Sequence, residues 1–226
     1  MLTKDEYLAR AKAETDWAPG WDAIDEAFSA LYPGVIPPHL GADIHARAIF
    51  GGPEFIDGYS IFPSPHGYQH LLTYGMTSLY VDEDAFGEEF SGWGYEMTMK
   101  VRADGPDECR WAVNSLSNLG RYTYMAKRYF EPFEFINGQG RPLRPDGDTL
   151  LTSYLIAPDT EVAGIDSIHG RVDFLQLVGI TQDELDWIAG ESPEGAADRA
   201  KTLVDRMRQS GNAHLVTDLG RTENFV

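Results

Sequence analysis

Tyr95, Met97, Met99 and Val101 alternate with Glu96, Thr98, Lys100 and Arg102. This period of two predicts a β-strand with one face buried and one face solvated. The run Val172-Asp173-Phe174-Leu175-Gln176-Leu177-Val178 is nearly continuous in apolar residues, which predicts a central strand covered on both faces. Leu150–Ala157 is a second such run. Shorter apolar runs at Ile44–Phe50, Tyr59–Phe62 and Leu71–Tyr74 read as further strands, punctuated by Gly51-Gly52-Pro53 and Pro63-Ser64-Pro65. Phe133–Ile136 leads into the turn signal Asn137-Gly138, and His214–Asp218 is a candidate last strand.

The period changes elsewhere. Trp21, Ile24, Phe28 and Leu31 fall on one helical face, with Pro19-Gly20 before them and Pro33-Gly34 after. Arg110 to about Lys127 carries Trp111, Leu116, Leu119 and Tyr122 on overlapping helical faces. Thr181-Gln182-Asp183-Glu184 has the form of a capping box and opens a helix towards Ala189. A later helix runs from about Pro193, with Ala200, Leu203, Val204 and Met207 on one face and Gly211 at its end. Lys4–Glu14 predicts a short, mostly solvated helix. Together these elements predict one α+β domain whose sheet includes Tyr95–Arg102 and Arg171–Val178, flanked by the Trp21–Tyr32 and Arg110–Lys127 helices. Trp21, and Phe174 or Leu175, should be nearly fully buried.

The charge narrows the function. The chain has 226 residues, 36 acidic and 18 basic, for a net charge of −18. Such a chain repels phosphate and anionic membranes, so neither nucleic acid nor a membrane surface is an expected partner, and a basic protein would be steered towards it. One cysteine, Cys109, excludes an internal disulfide framework, and no paired cysteines exist for zinc. The opening residues lack the basic-then-apolar order of a secretory signal, and no apolar stretch is long enough to span a bilayer. A cytoplasmic location is expected.

Candidate chemistry is sparse. His66 and His70 share the i, i+4 spacing of helical zinc pairs, but Pro65 and Gly67 flank His66 and the intervening Glu of H-E-x-x-H is missing. A hydrogen-bonded structural His70 is expected, with no bound metal and no cofactor. Gly92-Trp93-Gly94 and Gly51-Gly52-Pro53 do not make phosphate loops. Cys109 is expected to be inert. Glu96 and Asp173 are the carboxylates most exposed to a burial-raised pKa, and a salt bridge or backbone hydrogen bonds would explain each without catalysis. Asp82–Phe90 holds five acidic residues in nine positions and reads as an exposed loop.

The order of several segments is more specific than any one of them. Pro19-Gly20-Trp21-Asp22-Ala23-Ile24-Asp25 is followed by Leu31-Tyr32-Pro33 and Gly51-Gly52-Pro53. Then come His70, Thr73-Tyr74-Gly75-Met76, Leu79-Tyr80 and Ser91-Gly92-Trp93-Gly94-Tyr95-Glu96-Met97-Thr98. Gly170–Ile180, Glu184-Leu185, Leu215–Leu219 and Arg221 complete the series. From residue 17 to the end this resembles the Suppressor of fused (SUFU-like) domain, single-domain bacterial type, with residues 1–16 as an N-terminal extension.

The resemblance implies an α/β sandwich-like single domain on a central, mostly antiparallel sheet flanked by helices. Two-domain animal members grip an extended peptide of Gli-type transcription factors between their halves, adding a strand, and this chain is similar to the N-terminal half. Single-domain bacterial members are thought to be immunity proteins, so the resemblance implies a non-enzymatic protein that neutralises a toxin by stoichiometric binding. The toxin would be a basic protein domain. A peptide-binding regulator acting by strand addition, or a hydrolase with an unrecognised carboxylate site, are the alternatives. Tyr80 matches a family tyrosine near the peptide groove, and Glu88 or Glu89 stands where the family has an aspartate facing the peptide. Tyr68 stands at the first histidine of the family's His-Trp-His. Tyr80, Asp82, Glu83, Glu88 and Glu89 are therefore the expected partner-binding residues.

Overall fold

The alternating strand is the axis of the molecule: in the computed structural model it is β4 (Phe90–Val101), and it pairs in parallel with β8 (Gly170–Thr181). The structure describes residues 2–41, 56–145, 147–190 and 192–226, so the expected strand Ile44–Phe50 and the Gly51-Gly52-Pro53 turn lie outside the described residues. On one side β4 continues to β3 (Tyr68–Tyr74), β2 (Gly58–Ser64) and β1 (His39–Gly41). On the other side β8 is followed by β6 (Leu151–Pro158) and the short β5 (Phe135–Ile136), and β7 (Ile165–Ser167) pairs with the start of β8. Among the described residues, every strand pairing except β4–β8 is antiparallel. The expected α+β domain with a mostly antiparallel central sheet is what is found.

Among the described residues, four of the five helices cover the two faces of this sheet. Helix α3 (Arg110–Ala126) lies on one face, where Trp111, Ala112 and Leu116 pack with Tyr95, Met97, Met99, Ile156, Leu175 and Leu177. The opposite face is shared. Helix α2 (Pro19–Leu31) sets Ile24 and Phe28 against Phe62, Leu72, Tyr74 and Phe174. Helices α4 (Gln182–Ala189) and α5 (Pro193–Gln209) set Leu185, Ile188, Leu203 and Met207 against Leu155, Val178 and Ile180. Thr181 and Glu184 form the expected capping box, and Arg221 grips the same buried Glu184 carboxylate at 2.9 and 2.7 Å. Helix α1 (Lys4–Ala13) is anchored by a buried Tyr7, whose ring meets Trp17, Phe86 and His169.

Three expectations are corrected. Trp21 is half-buried rather than core; it stacks on Tyr74 at 4.3 Å between ring centroids, while Ile24 and Phe28 fill the interior. His214–Asp218 forms only an isolated parallel bridge, Val101 to Thr217, closed by Thr217 N–H to the Lys100 carbonyl and Arg102 N–H to the Thr217 carbonyl. The polar face of β4 is not solvated: Glu96, Thr98 and Lys100 are fully buried.

Candidate functional site

The buried polar face of β4 supports two clusters. The first fixes the chain that follows β3. Glu96 Oε1 accepts bonds from Gly75 N–H (3.0 Å), Thr77 N–H (3.0 Å) and the Thr77 hydroxyl (2.7 Å). Its Oε2 accepts from the Thr73 hydroxyl at 2.7 Å and Met76 N–H at 3.3 Å. Burial pushes this carboxyl up to about 7, against the pull of those donors. Backbone and hydroxyl hydrogen bonds are thus what Glu96 does, and no solvent reaches it. Asp173 is different: its carboxylate is about half exposed and bonded to Arg171 at 3.0 Å.

The same segment is held at several further points. Gly20 N–H and Trp21 N–H, in the first turn of α2, donate to the Leu79 carbonyl at 3.0 and 3.3 Å. Ser78 N–H donates to Ser91 Oγ at 3.0 Å, and Trp93 N–H to the Met76 carbonyl at 2.9 Å. A side chain at Gly92, which has φ +55°, would sit 2.8 Å from that carbonyl. His169 Nδ1 meets the Ser78 carbonyl and its Nε2 meets the Tyr7 hydroxyl, both at 2.8 Å. That hydroxyl in turn accepts from Asp82 N–H at 2.7 Å. Residues 75–82 are therefore fixed from beneath, and Tyr80 is turned outward with 54% of its surface exposed.

Asp82, Glu83, Glu88 and Glu89 follow Tyr80 on the exposed loop. The loop is tied down by Gly87 N–H to the Ile168 carbonyl (3.0 Å) and Arg171 N–H to the Glu89 carbonyl (3.0 Å). Glu83 pairs with Lys4 of α1 at 3.5 Å. β3 ends at Tyr74, so Tyr80 belongs to the irregular segment rather than to the end of a strand.

Two adjoining clefts flank Trp93. One, of about 360 Å³, is lined by Gly75–Asp82, Gly92, Trp93 and Tyr124. The other is an apolar groove of about 690 Å³ between Phe90–Tyr95, Tyr129–Pro132 and Asp173–Leu175. Phe90 and Tyr129 on its rim are 51% and 55% exposed. The register of β4 against β8 shifts between Phe90 and Tyr95, and the residues of this bulge line the groove. Sequence reasoning places Phe90 on the exposed loop but misses the half-buried Trp93 and the exposed Tyr129 as lining of this groove. The signal available is Gly92 and Gly94 on either side of Trp93, which mark a bulge presenting a large ring.

The second cluster lies between α2 and the α4–α5 pair. Lys100 Nζ donates to Asp159 Oδ1 (2.9 Å), Thr160 Oγ1 (2.6 Å) and Gln176 Oε1 (3.2 Å). Asp159 Oδ2 accepts from Thr98 Oγ1 at 2.6 Å and contacts His70 Nε2 at 3.0 Å. His70 Nδ1 meets the Tyr32 hydroxyl at 2.8 Å. Opposite charge and donors hold the Asp159 carboxyl well below its usual range despite its burial. His70 is a structural, hydrogen-bonded histidine. Cys109 is buried, and its thiol is pushed up to about 12. Among the described residues, none of the helices is long and apolar enough to cross a membrane.

The family model for the Suppressor of fused protein (SUFU) matches residues 52–222. The chain is similar to the human Suppressor of fused homolog, with 24% identity over 221 residues, covering 91% of this chain and 44% of that protein. It thus spans less than half the length of that relative. Its fold is similar to that in a crystal structure of the Sufu–Fu complex, with TM-score 0.75, 24% identity and coverage of 92% of this chain and 93% of that one. A SUFU homolog from Neisseria gonorrhoeae is similar with TM-score 0.59, 14% identity and coverage of 90% and 96%.

Proposed function

The chain belongs to the Suppressor of fused family, and on that premise we propose that it is a non-enzymatic module that binds a basic protein partner stoichiometrically. The surface used is Tyr80 with Asp82, Glu83, Glu88 and Glu89, continued by Phe90, Trp93 and Tyr129. The observation that carries this reading is the fixed base under residues 75–82. Tyr80 is exposed although its backbone neighbours are bonded to α2, β4, His169 and Tyr7. A rigid aromatic anchor loses little freedom on binding, and an acidic rim raises the association rate of a basic partner.

Neutralisation of a basic toxin domain is the biological form of this function that the charge of −18 favours. A regulator that adds a partner strand is the second reading, supported by the short outer strands β1 and β5, each with one unpaired edge among the described residues. A carboxylate hydrolase is disfavoured. Glu96 is buried with the donors around it already engaged, the Asp159 side chain is enclosed and paired with Lys100, and Asp173 is paired with Arg171.

The test is capture of the partner at low salt followed by binding kinetics. Glu88→Lys with Glu89→Lys should slow association and flatten its salt dependence, leaving fold stability within about 0.5 kcal/mol of the parent. Tyr80→Ala should mainly speed dissociation, weakening binding by about 2 kcal/mol or more. Parent-like kinetics in both variants would place the interface on another face.

A further inference from the structure

Three segments distant in sequence meet over the outer end of the Lys100 cluster: the β2–β3 turn, the loop after β6 and the loop after α5. They bring together His66, Glu161 and His214, with one ligand atom from each within 4.8 Å of the other two. The two imidazoles stack at 4.6 Å between centroids, and His214 Nδ1 lies 3.5 Å from Glu161 Oε1. His66 is exposed and the other two are half-buried, so solvent and ions reach the cluster from the His66 side. We propose that this is a site for one divalent transition-metal ion of the zinc class, held by the two imidazoles and Glu161 Oε1, with water completing the coordination shell.

The supporting contacts are those a metal site needs. Glu161 Oε2 is already occupied: the Tyr68 hydroxyl donates to it and Lys100 Nζ lies 3.2 Å away. Oε1 is thereby left facing His214, as an outer-shell donor would leave it. The backbone of His214 is fixed, since its carbonyl accepts from Gln176 Nε2 at 2.9 Å and Thr160 Oγ1 at 3.3 Å. The turn carrying His66 is closed by Gly67 N–H to the Ser64 carbonyl at 3.1 Å and by Arg102 to the Gly67 carbonyl at 2.8 Å. Two imidazole nitrogens and one carboxylate oxygen select zinc, cobalt or nickel, whereas magnesium and calcium need an oxygen shell. Sequence spacing pairs His66 with His70 and leads to the expectation of no metal. In the structure His70 points inward to Tyr32 and Asp159, and the partners of His66 come from segments far along the chain.

The test uses the full chain without a histidine tag, stripped with a chelator. It is titrated with Co²⁺ alone, followed by visible absorption, and with Zn²⁺ alone, followed by calorimetry. One ion per chain should bind. His66→Ala and His214→Ala should each weaken binding by about tenfold or more, while His39→Ala leaves it unchanged and Mg²⁺ does not compete. His66 is exposed, so its alanine variant keeps the fold, which circular dichroism verifies. Absence of saturable binding, a stoichiometry other than one, or binding that survives His66→Ala would overturn the proposal.

Discussion

Glu96→Ala should lower the unfolding free energy by about 4–5 kcal/mol, the upper end of single-substitution effects. The variant removes one acceptor group and strands five donors: three backbone N–H groups and the hydroxyls of Thr73 and Thr77. Each buried donor left unsatisfied costs about 1–3 kcal/mol, less whatever water enters the cavity. Glu96→Gln should cost less, because its amide oxygen keeps the donors on one side and the threonine hydroxyl facing its amide nitrogen can rotate to accept. The two variants also differ in pH response. The folded carboxyl of Glu96 is raised to about 7 from its ordinary value of 4.5, so folding favours its protonated form. That contribution to stability is complete below about pH 4.5 and is lost as pH rises through about 7, with a slope of at most about 1.4 kcal/mol per pH unit. Glu96→Gln should abolish this contribution. Urea unfolding across that window measures both effects, and an unchanged slope in Glu96→Gln would refute the linkage. The segment freed by Glu96→Ala is the one carrying Tyr80, so partner binding should fall with stability.

Lys100→Ala should cost about 3–5 kcal/mol, because a buried ion pair that loses one partner leaves an uncompensated charge. Lys100 is fully buried, and its ammonium lies 2.9 Å from Asp159 and 3.2 Å from Glu161. Lys100→Met keeps the aliphatic length and should lose nearly as much, since the cost comes from the two carboxylates rather than from the missing volume. Lys201→Ala, on the exposed side of α5, is the reference and should stay within about 0.5 kcal/mol of the parent. A denaturation midpoint for Lys100→Met matching that of Lys201→Ala would show that the cluster is not structural.

These two residues also mark the limit of what the sequence discloses. The alternation over Tyr95–Arg102 correctly identifies β4, the nearly continuous apolar run at Val172–Val178 identifies the doubly covered β8, and Thr181 with Glu184 marks the start of α4. Each is a local signal: period, composition or cap. Alternation also assigns Glu96, Thr98 and Lys100 to solvent, and that inference fails. Their partners at Thr73, Asp159 and Gln176 arrive from other strands and loops, and a polar strand face reads the same whether water or another polar group satisfies it. The surface proposed for partner binding is legible to a similar degree. The acidic run after Tyr80 is visible as composition, and the family resemblance singles out the tyrosine. The groove beside it depends on a register shift in β4 and on Tyr129, contributed by the segment after α3, and neither leaves a periodic trace.

The surface assigned to partner binding can be tested directly in the source cell, where an unidentified partner is captured by proximity alone. A photo-crosslinking amino acid is placed at Tyr80, at Tyr129 or at Leu150, an exposed apolar position outside both clefts. Irradiated complexes are resolved by mass, and the attached chain is identified. The account predicts one basic protein attached at Tyr80 and Tyr129 and not at Leu150, with the yield at Tyr80 reduced by Glu88→Lys and Glu89→Lys. Attachment of that protein at Leu150 alone, or a Tyr80 yield indifferent to the charge reversals, would contradict it.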